Sequence, residues 1–144
     1  MTYNLAVKSH FCAAHHLRGH PTCGTTHGHT WYYEICLSGK KLDKLGMLID
    51  FVDVKAALKV LEQDWLDHTN LNSKAPFKKV NPTAENLSSF IYKYLKNIFI
   101  NYMGIVELKS VTVWESPECA VIYSGEPTKK DILDEHAKHF PGTI

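Results

Sequence analysis

The sequence predicts an α+β fold in which a four-stranded antiparallel sheet carries two helices on one of its faces. Two segments with strand-like alternation lie near the N-terminus, two more lie between residues 106 and 125, and two segments with helical periodicity separate these pairs. Strands that follow each other in sequence favour antiparallel pairing, and consecutive helices can bury their apolar stripes against a common sheet. We therefore expect the order ββααββ in a single domain over residues 1–144, with its core at about 3–126 and a tail, 127–144, that reads as a short polar helix.

Both N-terminal strands follow from period-two alternation. In the first strand, apolar residues alternate with polar ones at three positions: Tyr3, Leu5 and Val7. A loop rich in Gly, His and Pro is predicted from about residue 12 to residue 28. In the second strand, four large apolar residues share one face: Trp31, Tyr33, Ile35 and Leu37. We expect that face to form one side of the core.

Two helices and a closing hairpin complete the fold. Asp50 or Asp53 caps the first helix, which carries an apolar stripe to residue 65. The second helix begins in "NPTAEN", where Asn81 can cap it and Pro82 suits its first turn. The last two strands, "VELKSVTVWES" and "ECAVIYSG", stand on either side of a proline and are predicted to form the hairpin.

Composition and charge exclude several classes of function. A net charge of +1 lacks the basic excess of a nucleic-acid surface. No apolar run is long enough for a membrane span, and the N-terminus lacks the apolar core of a signal peptide, so we expect a cytoplasmic protein without membrane contact. In such a compartment the four cysteines are expected to be free thiols: Cys12, Cys23, Cys36 and Cys119.

Six of the nine histidines fall within the first 29 residues, and two of them form the motif "HGH". His27 and His29 stand two residues apart where the second strand begins, so both imidazoles project from the same face. His15 or His16 can add a third nitrogen from the preceding strand. Three histidines and one open position are typical of catalytic zinc, whereas a closed structural site would use a fourth ligand, for which Cys23 is the candidate. Copper, nickel and iron also accept imidazole ligands.

Three further features carry candidate chemistry. Cys23 can be a metal ligand, a nucleophile or base, or an inert loop thiol. Asp67 and His68 follow the first helix and form a possible acid–base pair, although adjacent residues need a bend in the chain to hydrogen-bond; the alternative is a polar helix end. Glu115 shares a face with the apolar residues of the third strand, either as a carboxylate that binds paired N–H donors or as a solvated strand end.

Seven motifs, taken together, resemble the 6-pyruvoyl-tetrahydropterin synthase family, and more closely its 6-carboxytetrahydropterin synthase branch. They cover about residues 3–126 and read "FCAAHHL", "CGTTHGH", "LIDFVDVKAAL", "LDHTNLN", "NPTAEN", "VTVWES" and "VIYSGE". The short spacing between Cys23 and "HGH" resembles the carboxytetrahydropterin branch. The resemblance implies the tunnelling fold, whose subunits assemble into trimers, commonly two per hexamer, with the sheets joined into a barrel.

The resemblance also implies roles for individual residues. The implied zinc ligands are His15, His27 and His29. The implied catalytic residues are the thiol of Cys23 and the proton-relay pair of Asp67 and His68. The implied substrate-binding residues are Glu115, which holds the amino and ring N–H groups of the pterin, and Thr83, which lines the pterin pocket.

The implied reaction converts 7,8-dihydroneopterin triphosphate to 6-carboxy-5,6,7,8-tetrahydropterin, acetaldehyde and triphosphate, on the route to queuosine and other deazapurines. Zn²⁺ is the implied cofactor, and a homo-oligomer is the implied assembly. Two alternatives stay open: the same fold making 6-pyruvoyl-tetrahydropterin, and a non-catalytic zinc- or pterin-binding protein with Cys23 as a fourth ligand. Arg18, Lys40 and Lys41 are candidates for contacts with the triphosphate, and nothing in the sequence selects among them.

Overall fold

Two long antiparallel strands, β1 (Tyr3–His15) and β2 (His27–Gly39), form the centre of a five-stranded sheet. The structure is a computed structural model that describes residues 1–102 and 104–126, so the polar helix expected in the tail lies outside the described residues. The other regular elements follow in chain order: α1 (Phe51–Leu61), a π-helical turn (Glu62–Leu66), β3 (Thr69–Asn70), a 3₁₀ turn (Leu71–Ser73), α2 (Ala84–Ile98), a 3₁₀ turn (Phe99–Tyr102), β4 (Glu107–Ser116) and β5 (Cys119–Tyr123). The predicted order of the long elements is confirmed.

The sheet order is β3-β1-β2-β4-β5, and the four long strands pair antiparallel as predicted. β3 is a fifth strand that the prediction of four strands missed. Its two residues are too few for an alternation pattern, and they pair parallel to β1 at Ala13 and Ala14. The sheet is therefore mixed, and β3 brings the chain after α1 alongside the end of β1.

β1 is longer than the sequence pattern suggested, because it continues through the first part of the predicted loop. Phe11 and Ala13 extend the buried alternation and are 1% and 5% exposed. The ladder with β2 runs to its end, where His15 pairs with His27. The connection between the two strands is thereby confined to residues 16–26, and two histidines face each other across the ladder.

Both helices begin at side-chain caps. Asp50 caps α1 by accepting a hydrogen bond of 2.8 Å from the backbone N–H two residues later. Thr83, rather than the predicted Asn81, caps α2 by accepting from the N–H of Asn86. Asn81 instead accepts from the N–H of Arg18 and donates to its carbonyl oxygen, at 2.8 and 3.0 Å. These bonds tie the 16–26 loop to the start of α2.

The core lies between the helices and one face of the sheet. Large, fully buried side chains come from both layers and from the segment before α2, and include Phe11, Trp31, Tyr33, Leu58, Phe77, Leu87 and Ile91. On the opposite face of the sheet and on its β5 edge, Tyr32 and Ile122 remain 51% and 68% exposed.

The four cysteines are free thiols, as predicted. Within residues 1–102 and 104–126, no helix has the length and apolar character that crossing a bilayer requires.

Candidate active site

Four side chains, which we call the histidine–glutamate group, converge at the end of the β1–β2 ladder: His15, His27, His29 and Glu115. One nitrogen or oxygen atom from each lies within 4.8 Å of the corresponding atoms of the others. His15 and His27 are paired across the ladder, and His29 stands two residues further along the same face of β2. Glu115 comes from the end of β4, on the other side of β2. The register of three neighbouring strands therefore builds the group.

Backbone carbonyls fix which ring nitrogens of two of these histidines are free. Nδ1 of His15 lies 2.8 Å from the carbonyl oxygen of Pro82, and Nδ1 of His27 lies 2.7 Å from that of Thr25. A carbonyl oxygen only accepts, so each Nδ1 must carry the hydrogen, and in a neutral ring Nε2 then carries a lone pair. The two Nε2 atoms face each other at 3.1 Å. This is the tautomer in which histidines bind metals through Nε2.

The surroundings favour neutral imidazoles. Trp31 packs edge-on against His15 and His29, with ring centroids 4.9 and 5.2 Å apart. Burial lowers the pKa of the His15 and His29 imidazoles below the ordinary value, against the opposing effect of the nearby Glu115 carboxylate. Neutral rings are the form that a metal requires.

The donor set fits a divalent cation. Nε2 of His29 is buried without a hydrogen bond, although Oε1 of Glu115 lies 3.2 Å away. Lone pairs and a carboxylate aimed at one position repel each other, and a cation at that position removes the repulsion. Imidazole nitrogens with an oxygen donor suit zinc and other first-row transition metals. The group can therefore hold a divalent metal.

The geometry favours one side of each of two alternatives that the sequence left open. His15 belongs to the histidine–glutamate group, whereas His16 lies outside it, with its backbone N–H and carbonyl bound by the side chain of Asn72 at 2.9 and 3.0 Å. Cys23 also lies outside the group. The fourth donor of the histidine–glutamate group is Glu115 instead. The sequence pointed to Glu115 as a carboxylate at the rim of an apolar face and gave no sign that it stands beside the histidines.

Cys23 lies on the loop between β1 and β2, half-buried and free. Its backbone N–H donates to Nδ1 of His20 at 2.8 Å, and its carbonyl accepts from the N–H of Leu17 at 2.7 Å. The loop backbone around the thiol is therefore fixed by two hydrogen bonds within the loop.

Asp67 and His68 form the pair that the sequence suggested, through the bend that adjacent residues need. His68 takes a left-handed backbone conformation with φ of 55°, and its Nδ1 lies 2.9 Å from Oδ2 of Asp67. The backbone of Cys12 holds both residues, because its N–H donates to Oδ1 of Asp67 at 2.9 Å and its carbonyl accepts from the N–H of His68 at 2.7 Å. The hydrogen bond from Cys12 and the neighbouring His68 lower the pKa of the Asp67 carboxyl.

An open depression of about 420 Å³ lies beside the acid–base pair. Its lining includes His29 from the histidine–glutamate group and His68 from the acid–base pair, together with the backbone at Gly28. Gly28 and Thr30 alternate with His27 and His29 along β2, so most of the lining lies on the sheet face opposite the imidazoles of the histidine–glutamate group. Cys23 and Thr83 are not among its lining residues, and the hydroxyl of Thr83 serves as the cap of α2.

Sequence reasoning missed the backbone groups that orient the side chains. The carbonyls of Pro82 and Thr25 and the N–H and carbonyl of Cys12 each contact a candidate site residue. Every residue type offers these groups, so composition and spacing give no signal for them.

Comparison with known proteins gives matches in sequence and in structure. The family model described as 6-pyruvoyl tetrahydropterin synthase matches residues 4–126. A Haemophilus influenzae protein named 6-carboxy-5,6,7,8-tetrahydropterin synthase is 31% identical over 137 residues, covering 80% of this chain and 94% of that protein. A Dictyostelium discoideum protein named 6-pyruvoyl tetrahydrobiopterin synthase is 32% identical over 105 residues, covering 72% and 74%. The structure of Caenorhabditis elegans 6-pyruvoyl tetrahydropterin synthase matches with a TM-score of 0.76 at 26% identity, over 88% of this chain and 97% of that one.

These matches confirm the family resemblance and the α+β fold class predicted from the sequence. The matched residues, 4–126, contain every member of the histidine–glutamate group and the Asp67–His68 pair. This chain belongs to the 6-pyruvoyl tetrahydropterin synthase family.

Proposed function

We propose that the chain is a zinc-dependent 6-carboxy-5,6,7,8-tetrahydropterin synthase, which converts 7,8-dihydroneopterin triphosphate and water to 6-carboxytetrahydropterin, acetaldehyde and triphosphate. The observation that carries the proposal is the convergence of His15, His27 and His29, with Glu115, into one group that can hold a metal. The name of the Haemophilus relative supports the carboxy product, as does the short spacing between Cys23 and His27.

In this proposal, His15, His27 and His29 hold the zinc ion through Nε2. When bound, zinc supplies a Lewis acid that makes the carbons of the pterin side chain more acidic. The bonds from Nδ1 of His15 and His27 to backbone carbonyls keep both rings in the ligating tautomer and limit their rotation. Burial beside Trp31 favours the neutral rings that ligation needs.

In this proposal, Cys23 and the Asp67–His68 pair carry out the proton transfers. Because the N–H of Cys12 lowers the pKa of Asp67, this carboxylate stays ionised near neutral pH. Asp67 lies 2.9 Å from Nδ1 of His68 and orients its ring, and we assign His68 to proton transfer together with Asp67. We assign the Cys23 thiol as the partner that removes or returns a proton on the substrate side chain.

Glu115 is proposed to anchor the pterin through its amino and ring N–H groups. A carboxylate that accepts two parallel N–H bonds is a strong and directional contact. Its position 3.2 Å from Nε2 of His29 would place the pterin ring next to the metal ligands. The same position allows Glu115 to bind the metal instead of the pterin. The variant Glu115→Gln, which removes the charge, separates these two roles. Thr83 remains a proposed pocket residue, although its side chain serves as a helix cap in the single chain.

A second candidate is 6-pyruvoyl-tetrahydropterin synthesis. Relatives named for either product are about equally similar to this chain, at 32% identity for the Dictyostelium protein and 31% for the Haemophilus protein. A non-catalytic zinc- or pterin-binding role has less support, because its proposed fourth ligand, Cys23, lies outside the histidine–glutamate group.

Product analysis tests the proposal. Zinc-loaded protein is incubated with 7,8-dihydroneopterin triphosphate, and pterins and trapped aldehydes are identified by mass. Acetaldehyde with 6-carboxytetrahydropterin supports the first reaction, a pyruvoyl product supports the second, and tight pterin binding without turnover supports the non-catalytic role. A His29→Ala variant controls for uncatalysed breakdown of the substrate.

We further propose a homo-oligomer of one or two trimers in the cytoplasm. The exposed Tyr32 and Ile122, on the free sheet face and the β5 edge, support association, since such surfaces invite pairing with other subunits. The four free cysteines support a reducing compartment. Light scattering should give a mass about three or six times that of the 16.4 kDa chain; a monomer would contradict the assembly.

A further inference from the structure

A polar cluster interrupts the apolar contact between α1 and the sheet. The carboxylate oxygen Oε1 of Glu62 accepts hydrogen bonds from the hydroxyls of Ser9 and Tyr33, the latter at 2.7 Å. Ser9 and Tyr33 are direct partners in the β1–β2 ladder, so both hydroxyls come from one position of the sheet. Ser9 replaces an apolar residue in the buried alternation of β1, between Val7 and Phe11.

The hydroxyls of Ser9 and Tyr33 both compensate Oε1 of the Glu62 carboxylate. A carboxylate placed against a core is costly unless donors compensate it, and two hydroxyls do so here. Tyr33 is completely buried, and burial, reinforced by Glu62, raises its pKa, so its hydroxyl stays protonated and donates. Such a cluster fixes the position of Glu62 more narrowly than apolar packing would, because each bond requires a defined direction.

Glu62 is also the first residue of the π-helical turn that leads to the acid–base pair. Its carbonyl oxygen accepts from the N–H of Asp67 at 2.8 Å, five residues later. After this turn, Cys12 on β1 binds both Asp67 and His68. The segment from Glu62 to β3 therefore runs along β1 and is attached to it first through Ser9 and then through Cys12. π-Helical turns are rare and are often found at functional sites.

We propose that Glu62 is a positioning residue for the Asp67–His68 pair. Its side chain fixes the start of the π-helical turn to the strands that carry His15 and His27, and its carbonyl fixes the end of that turn. The position of the acid–base pair relative to β1 and β2 is thereby set by hydrogen bonds to the sheet. The catalytic consequence rests on the proposed function, whereas the structural consequence does not.

The test compares two variants of similar length, one with an acceptor oxygen and one without. Glu62→Met removes both hydrogen bonds of the side chain, and Glu62→Gln keeps an oxygen for the two hydroxyls. The first readout is amide hydrogen exchange at Asp67 and His68, relative to Ile91 in α2. We expect exchange at the two site amides to rise about 10-fold or more in Glu62→Met, with Ile91 changed far less and with Glu62→Gln close to the wild type.

Kinetics and zinc content give the second readout. In Glu62→Met we expect kcat to fall about 10-fold or more, with KM and zinc content nearly unchanged, and Glu62→Gln to restore most of kcat. A double variant of distant buried hydroxyls, Ser88→Ala with Tyr92→Phe, controls for general loss of stability. It should leave exchange at Asp67 and His68 unchanged.

Three results would overturn the proposal: unchanged exchange at Asp67 and His68 in Glu62→Met, an equal rise at Ile91, or full kcat in a variant whose site amides exchange faster. If Glu62→Met does not fold, the double variant Ser9→Ala with Tyr33→Phe, which removes both donors, takes its place under the same criteria. Because hydrogen exchange needs no substrate, a selective exchange effect in a protein without pterin turnover would refute the proposed function while retaining the positioning role.

Discussion

Nε2 of His15 lies 3.1 Å from Nε2 of His27, while Nδ1 of each ring is bound to a backbone carbonyl. With both rings neutral, two lone pairs meet at hydrogen-bond distance without a hydrogen between them. A proton can relieve this contact, but burial lowers the pKa of His15 and so disfavours protonation there. A divalent cation relieves it without that cost, which is the physical reason to regard this pair as part of a metal centre.

Removal of either histidine of the "HGH" motif should abolish tight metal binding. We expect His27→Ala or His29→Ala to abolish turnover. Zinc affinity should fall by more than the about 10- to 100-fold that is typical when a residue hydrogen-bonded to a metal ligand is lost. Zinc content after dialysis against a weak chelator, measured by mass spectrometry, reports this. His10→Ala, which removes an exposed histidine of β1 whose ring is tilted against Tyr32, is the matched control and should keep its zinc. Full zinc content in both "HGH" variants would contradict the account.

Removal of the Cys23 thiol should separate metal binding from catalysis. Because Cys23 lies outside the histidine–glutamate group, Cys23→Ala should retain zinc while kcat falls about 10²- to 10⁴-fold, as for a lost general acid or base. Cys119→Ala, which removes an exposed thiol at the β4–β5 hairpin, should change neither quantity. Loss of zinc on substitution of Cys23 would instead make this thiol a ligand.

The role of Glu115 can be separated from that of the histidines by Glu115→Gln. If Glu115 anchors the pterin, the variant should bind a pterin about 10- to 150-fold more weakly, since a hydrogen bond to a charged group is worth about 1.5–3 kcal/mol. Zinc stoichiometry should stay unchanged. Calorimetric titration with a dihydropterin, alongside zinc analysis, measures both quantities. Unchanged pterin affinity would remove the anchoring role, and lost zinc would assign Glu115 to the metal.

The stability of the protein should depend on pH through Asp67. Its pKa is lower in the folded protein than in the unfolded chain, so the ionised carboxylate stabilises the fold above the unfolded value of about 3.9, and this contribution disappears as the pH falls through the folded value. Wild type should therefore exceed Asp67→Asn in free energy of unfolding at about pH 6, and the difference should vanish toward about pH 2.

Urea unfolding across this range, on zinc-free protein, measures the difference. Asp64→Asn controls for the removal of one acidic side chain from the same segment. A difference between wild type and Asp67→Asn that is constant down to the lowest pH would show that the hydrogen bond from Cys12 contributes nothing through the charge of Asp67.

Side-chain periodicity explains how much of the fold the sequence predicts. Long alternating or helical stretches, such as Trp31 to Leu37 in β2, reveal their buried face directly. The end of β1 was missed because Ala13, Ala14 and His15 lack strand propensity and are held by pairing with β2. β3 was missed because two residues carry no period, and its existence depends on contact with β1.

The sequence likewise predicts only part of the candidate site. The "HGH" motif predicts two converging imidazoles, since residues two apart on a strand share a face. The choice of His15 over His16 and the place of Glu115 depend on the registers of β1–β2 and β2–β4, and an irregularity in the latter ladder cannot be read from either strand alone. The role of Glu62 depends on contacts across 53 and 29 residues of sequence.

X-ray absorption at the zinc K edge of the zinc-loaded protein tests the central claim most directly. The account predicts a first shell of nitrogen and oxygen at about 2.0–2.1 Å, with the outer-shell scattering of three imidazoles and no sulfur at about 2.3 Å. A sulfur shell at that distance, or the absence of imidazole scattering, would contradict a metal centre built on His15, His27 and His29 with Cys23 unbound.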